Sequence, residues 1–198
     1  SLKDQFISSL KAEIEDVQFD IPDFEDEQKR VVAATIQGIR VICVYIPNGQ
    51  SVGSDKYTYK LIWLNALITY IENQLTIYPQ LALLGDYNIA PEDRDVHDPA
   101  AWKDSVLVSP LERDAFKRLI ELGLHDSFRL FEQPEKLYSW WDYRMMAFRR
   151  NMGMRIDHIL ISTPLVKLAK ASWIDKAPRK LERPSDHTPV LLALETTT

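Results

Sequence analysis

Two periodicities alternate along this 198-residue chain. Arg30 to Ile36 and Arg40 to Ile46 are β-branched runs on either side of Gln37-Gly38-Ile39, which predicts a hairpin. From about Tyr57 to Ile77, apolar residues at Leu61, Leu64, Ile68, Ile71 and Leu75 recur at three- and four-residue steps, one face of an amphipathic helix. Leu81 to Leu84 follows as a short buried strand. Residues 109–123 predict a second helix: Ser109 can cap it, Pro110 suits its first position, Glu112 completes a capping box and Gly123 can end it. Arg155 to Ser162 and Pro189 to Leu194 again read as strands. Strands alternating with helices imply an α/β protein whose sheets are covered by helices. No repeat, low-complexity tract or Gly/Ser linker divides the chain, so it reads as a single domain over residues 1–198.

Composition narrows the setting. A 45% hydrophobic content fits an ordinary globular core. No apolar run approaches the roughly 20 residues that span a bilayer, so no membrane partner is expected. Ser1 to Gln5 carries charge and no apolar core, unlike a signal peptide. The lone Cys43 lies in an apolar run and reads as a buried reduced thiol, which suits a cytoplasmic protein.

The net charge of −5 argues against loose coating of nucleic acid, but the charge is uneven. Residues 1–29 hold nine Asp/Glu against three Lys. Residues 144–155 hold Arg144, Arg149, Arg150 and Arg155 with no acid, and Lys167 to Arg183 is a second basic stretch. Such patches either grip phosphates where they converge or form a solvated face.

Polar groups gather where strands end. Asp86 and Asn88 lie two apart in Gly85-Asp86-Tyr87-Asn88, a spacing that points both side chains one way in an extended segment. A carboxylate can hold a metal or a proton and an amide can orient a phosphate oxygen; taken alone, the pair reads more simply as an Asx turn. Asp186-His187 places a carboxylate for a hard cation beside an imidazole suited to acid–base work. Asp157, among β-branched residues, needs a partner if buried, and orienting His187 through its ring N–H would satisfy both groups. The alternatives are a plain surface acid at Asp157 and a structural Asp186-His187 pair. His97, His125 and His158 lack zinc-ligand spacing, and no phosphate-cradling glycine loop or G-x-S-x-G is present. Carboxylates, amides and an imidazole without a nucleophilic side chain suit metal-assisted attack of water on a phosphodiester.

Tyr45-Ile46-Pro47-Asn48, Gly85-Asp86-Tyr87-Asn88-Ile89-Ala90-Pro91, Ser139-Trp140-Trp141-Asp142-Tyr143-Arg144, Arg155-Ile156-Asp157 and Pro184-Ser185-Asp186-His187-Thr188-Pro189 occur in one order. That ordered set resembles the exonuclease III branch of the endonuclease/exonuclease/phosphatase superfamily, from about Ile14 to Leu194, with residues 1–13 unmatched. The resemblance implies two mixed β-sheets packed as a sandwich flanked by helices, a four-layer α/β fold, with the active site across one end. It implies a DNA-repair nuclease that cuts duplex DNA at abasic sites and trims 3′ ends with Mg²⁺, for which Mn²⁺ can substitute; nothing in the sequence demands more than a monomer. Asn88 and His187 would hold the scissile phosphate, with Asp157 orienting His187. Asp86 would manage the proton of the attacking water or of the leaving group, and Tyr45 would stabilise developing charge. Asp86, Asn88 and Asp186 would place the metal. Asn48 and Arg30, with Arg144, Arg149 and Arg150 as a backbone clamp, would contact phosphates. Trp140, Met154 and Ile156 would line an apolar pocket for an extrahelical abasic sugar.

The chain departs from that pattern at its start. The family's first strand ending in Asn and its Gln-Glu-Thr, whose glutamate is the chief metal ligand, are not in this sequence; Glu13 and Glu15 stand in another context. The expectation is a fold lacking N-terminal strands, with weakened metal binding and little or no activity of its own. Two other readings are a sugar- or lipid-phosphate phosphatase of the same superfamily and a non-catalytic DNA-binding remnant.

Overall fold

The structure is a computed structural model and describes residues 12–195. The non-matching start expected for Ser1 to Leu10 lies outside those residues. Among the described residues, the main element is a six-stranded mixed sheet in the order β1-β2-β3-β4-β8-β5. Its strands are β1 (Ile14–Phe19), β2 (Val31–Ile36), β3 (Ile39–Tyr45), β4 (Leu81–Asp86), β5 (Leu124–Asp126) and β8 (Asp157–Ser162). β2 and β3 form the predicted hairpin, pairing Ile36 with Ile39. Gln37 and Gly38 both have positive φ, 50° and 77°, as a two-residue hairpin turn requires.

From β3 the chain crosses to a parallel β4 through α1 (Asp55–Ile77). Ser54 starts α1 by accepting the Tyr57 N–H at 3.1 Å, a cap the periodicity did not announce. α1 buries Trp63, Leu64, Leu67, Ile68 and Ile71 on Ile42, Val44, Leu81, Leu83 and Leu160 of the sheet. The predicted Leu61 and Leu75 sit at the rim of this contact, half-buried. A short α2 (Pro99–Trp102) precedes α3 (Pro110–Glu121), and Ala115, Phe116 and Leu119 of α3 complete the same core. The capping box forms as read: the Ser109 side chain accepts the Glu112 N–H, and the Glu112 carboxylate accepts the Ser109 N–H at 3.2 Å.

The opposite face of the sheet carries Ile39, Ala82 and Ile161. These meet Leu165 of α4 (Thr163–Val166) and Leu192 and Leu194 of β10 (Val190–Leu194). β10 pairs antiparallel with β9 (Ala169–Ile174), so the second sheet is this pair alone among the described residues. A two-residue ribbon joins β6 (Trp140–Trp141) to β7 (Gly153–Met154).

At the far edge, β1 loses register between Glu15 and Gln18, where Asp16 adopts φ 50°. The fully buried Arg40 anchors this irregularity, donating to the Asp16 carbonyl at 2.8 Å, to Gln18 at 2.7 Å and to Gln74 of α1 at 3.2 Å. β1, β5 and β9 are short, acidic or irregular and were not foreseen in the sequence.

Candidate active site

Three adjacent strands end together. β3 and β4 run parallel and place Tyr45 opposite Asp86; β8 runs the other way, so its first residue, Asp157, also faces Asp86. Paired residues on neighbouring strands point to the same face. Strand alternation therefore sets both carboxylates on the face that carries Ala82 and Ile161, beyond its apolar part. The close approach of β3 and β4 needs Gly85: at φ 135°, a Cβ there would lie 2.0 Å from the Val44 carbonyl oxygen.

His187 arrives from a different segment. Trp140 bridges to His187, the Trp141 N–H donates to the Asp186 carbonyl at 3.0 Å, and the Thr188 N–H donates to the Ser139 carbonyl at 2.8 Å. Ser139 is fully buried and its hydroxyl oxygen accepts the N–H groups of Ile156 and Asp157, each at 3.0 Å. One serine thus ties the Asp157 strand to the His187 segment. In the sequence Ser139 only opens the Ser139-Trp140-Trp141 motif, which gives no sign of this role.

The outcome is a compact trio. His187 Nδ1 lies 2.9 Å from Asp157 Oδ2, and Nε2 lies 3.8 Å from Asp86 Oδ2. Ligand atoms of Asp86, Asp157 and His187 all fall within 4.8 Å of one another, the spacing of a possible metal site. Burial and then the neighbouring Asp157 charge push the Asp86 carboxyl up to about 7, against the pull of His187, the Asn88 N–H and Lys60. Burial alone would lower His187, but the Asp157 hydrogen bond and charge, with Asp86 and Asp186, raise it to about 9.

Asn88 lies beneath the trio and is 5% exposed, at φ 50°. Its N–H donates to Asp86 Oδ1 at 2.8 Å, which is the Asx turn the sequence allowed. Its side-chain amide donates to the Ile46 carbonyl at 3.0 Å and to Asp86 Oδ2 at 3.2 Å, and accepts from exposed Asn48 at 3.1 Å. Asp186 stands apart from the trio, with Oδ2 accepting the Trp140 indole N–H at 3.0 Å.

Several residues are placed differently from their sequence reading. Arg30 is 9% exposed and donates to the Tyr45 carbonyl at 3.1 Å, with its guanidinium 5.0 Å from the Tyr45 ring. It is built into the support of Tyr45 instead of pointing outward. Arg155 leaves the basic patch altogether: it is 1% exposed, pairing with Asp95 at 2.7 Å and Asp126 at 2.8 Å, because a buried guanidinium needs anionic partners. Arg144 is exposed but already pairs with Asp142 at 2.7 Å, leaving Arg149 and Arg150 as the exposed pair of the expected clamp. Met154 and Ile156 are fully or almost fully buried with Ala90, Val96, Leu107 and Val108, and only Trp140 keeps a partly exposed edge. Two cavities of about 680 and 460 Å³ open beside Val96 and Pro99, and none of Trp140, Met154 and Ile156 lines them.

Residues 11–187 match the Endonuclease/Exonuclease/phosphatase family. The chain is 35% identical over 180 residues to an exodeoxyribonuclease III of Haemophilus influenzae, covering 85% of this chain and 67% of that protein. It superposes on a 3′ phosphatase from Neisseria, solved bound to a product DNA hairpin, with TM-score 0.92, 42% identity and coverage of 94% of this chain and 73% of that one. An AP endonuclease from Archaeoglobus fulgidus superposes with TM-score 0.89, 36% identity and coverage of 93% and 72%. The chain spans between 53% and 67% of the length of three curated relatives.

Proposed function

The chain belongs to the Endonuclease/Exonuclease/phosphatase family, on its exonuclease III branch, and from that premise we propose that it serves a Mg²⁺-dependent DNA-repair phosphodiesterase acting at abasic sites and 3′ ends. The observation that carries this reading is the Asp157–His187–Asp86 trio at the common end of three strands.

Hydrolysis joins water to phosphorus, breaks the bond from phosphorus to a deoxyribose oxygen, takes a proton from the water and returns one to the leaving oxygen. The Asp157 carboxylate accepts the Nδ1–H of His187 and so fixes its ring. The protonated Nε2 then faces Asp86 and offers a charged donor to a phosphoryl oxygen. Asp86, held near neutrality, can take the proton of the attacking water or deliver one to the leaving oxygen. The carboxylate oxygens of Asp86 and Asp157 suit a hard cation, which Asp86 and Asn88 would hold; Asp186, bonded to the Trp140 indole, stands outside that cluster. Such a cation would supply positive charge to the phosphate and favour ionisation of water.

The superposition on a structure bound to a DNA hairpin supports DNA as the partner. Arg149 and Arg150 would contribute backbone affinity, and Trp140 the edge that meets a sugar without its base. Mn²⁺ would substitute for Mg²⁺.

The test is cleavage of a duplex with one abasic site, and release of phosphate from a 3′-phosphorylated duplex, with Mg²⁺ and with EDTA. Metal-dependent turnover lost in His187→Ala supports the reading. Salt-sensitive duplex binding without turnover in either assay would fit a non-catalytic DNA-binding role or the little activity expected of a sequence without the family's Gln-Glu-Thr. Turnover of inositol phosphates but not DNA would favour a phosphatase.

A further inference from the structure

Lys60 projects from α1 into the protein and its side chain is fully buried. A buried ammonium must satisfy its donors. Lys60 Nζ donates to the Asn88 carbonyl at 2.7 Å, to the Asn48 carbonyl at 3.1 Å and to the Glu112 carboxylate. Two of its bonds therefore go to the main chains of the two loops that frame the trio. We propose that Lys60 is a positioning residue for the candidate active site, clamping the Asn48 and Asn88 loops into one rigid unit beneath Asp86.

The surrounding contacts make this a built device instead of a stray ion pair. Glu112 holds the lysine from the start of α3, and its two oxygens also accept the Leu107 N–H at 3.0 Å and the Ser109 hydroxyl at 2.6 Å. Tyr57, one turn before Lys60 on α1, is hydrogen bonded to the Ser109 hydroxyl at 2.7 Å. The lysine stem is closely packed too: a Cβ on Gly49 would meet Lys60 Cδ at 3.0 Å. Above the clamp, the Asn48 amide donates to Asn88, and the Asn88 amide donates to Asp86.

Two physical arguments favour positioning over stability. A buried ion pair is on average no more stabilising than apolar residues of the same volume. Here the lysine instead answers two carbonyls that a left-handed residue, Asn88 at φ 50°, and its neighbour loop turn inward. Without the ammonium those carbonyls are orphaned, and the loop holding Asn88 has less reason to keep its strained shape.

The inference rests on the proposed phosphodiesterase reading for its consequence, but its geometry can be tested apart from activity. Amide hydrogen exchange is measured on the metal-free wild type, on Tyr57→Phe, and on the charge-free pair Lys60→Met/Glu112→Gln, which avoids an unpaired buried charge. In the charge-free pair, amides of residues 46–50 and 86–90 should exchange about tenfold faster or more while β2, β3 and the middle of α1 keep their protection. Tyr57→Phe, which removes the neighbouring bond to Ser109 but keeps Lys60, Glu112 and both carbonyl bonds, should leave those loops protected. Unchanged loops in the charge-free pair, equal loosening in Tyr57→Phe, or loosening spread evenly through the core would each overturn the proposal. On abasic duplex with Mg²⁺, the charge-free pair should lose about tenfold or more in kcat with KM little changed. Wild type without turnover would bear on the phosphodiesterase reading and not on the clamp, which the exchange comparison decides by itself.

Discussion

Asp157 accepts the Nδ1–H of His187 at 2.9 Å, and this bond turns a half-buried imidazole into a group that keeps its proton to about pH 9. The consequence is direct. In the metal-free protein, NMR titration of His187 should give a midpoint near 9, and in Asp157→Asn it should fall toward the ordinary 6.5, since burial then meets less opposition. A midpoint unmoved by Asp157→Asn would mean another group holds the proton.

Stability should track the same protons. Asp86 and His187 both bind a proton more tightly in the folded than in the unfolded chain, with folded values of about 7 and about 9 against 3.8 and 6.5. On these two groups the folded state then carries more protons between those limits, so their contribution to stability is full below about 4 and is lost as pH rises toward 9. Below about 6.5 this loss is opposed by His158, which burial and the Arg155 charge lower to about 4. Melting temperatures of the metal-free protein should show this loss. Asp86→Asn should remove the part lost between about 4 and 7, and a divalent cation taking the place of the proton should offset it.

Ser139→Ala leaves the amides of Ile156 and Asp157 without their shared acceptor. The expected cost is about 1–3 kcal/mol by urea unfolding, together with a lowered His187 midpoint as Asp157 drifts. Destabilisation without any change in the midpoint would separate Ser139 from the geometry of the site.

Gly85→Ala should be the harshest small change near the site, because its Cβ would sit 2.0 Å from the Val44 carbonyl oxygen at φ 135°. Separation of β3 from β4 should cost about 3 kcal/mol or more, read as a lower denaturation midpoint. A near-neutral result would show that the strands can part without strain.

Arg149 and Arg150 are exposed beside the expected DNA face. Replacing both with Ala should weaken duplex binding about equally for every sequence and lower the salt slope by roughly 2. An unchanged slope would put the backbone clamp elsewhere.

The hairpin, both long helices and the strands at 81, 157 and 190 were legible because periodicity and capping are local signals. β1 and β9 carry charged or small residues in half-exposed strands, and β5 is only three residues long, so pairing partners define them more than their own pattern does. The site followed the same division. Asp86, Asp157 and His187 stood out as polar residues at strand ends, whereas Lys60, Ser139 and the burial of Arg30 and Arg155 depend on contacts across 12 to 60 positions of chain. A buried lysine on a helix looks, in sequence, like any solvated one. Its one foreshadowing was its place on the same helix face as Trp63, Leu64 and Leu67.

The irregular β1 has a further effect, on how separate molecules meet. A flat outer strand offers a row of unpaired backbone groups to any passing strand of another copy. Here Asp16 breaks that row, because its left-handed turn hands its carbonyl to Arg40 on the inside. The strand's side chains add Glu15 and Asp16 to the same border. The arginine that fastens the sheet to its helix therefore also interrupts, among the described residues, the row of backbone groups along which another strand would pair.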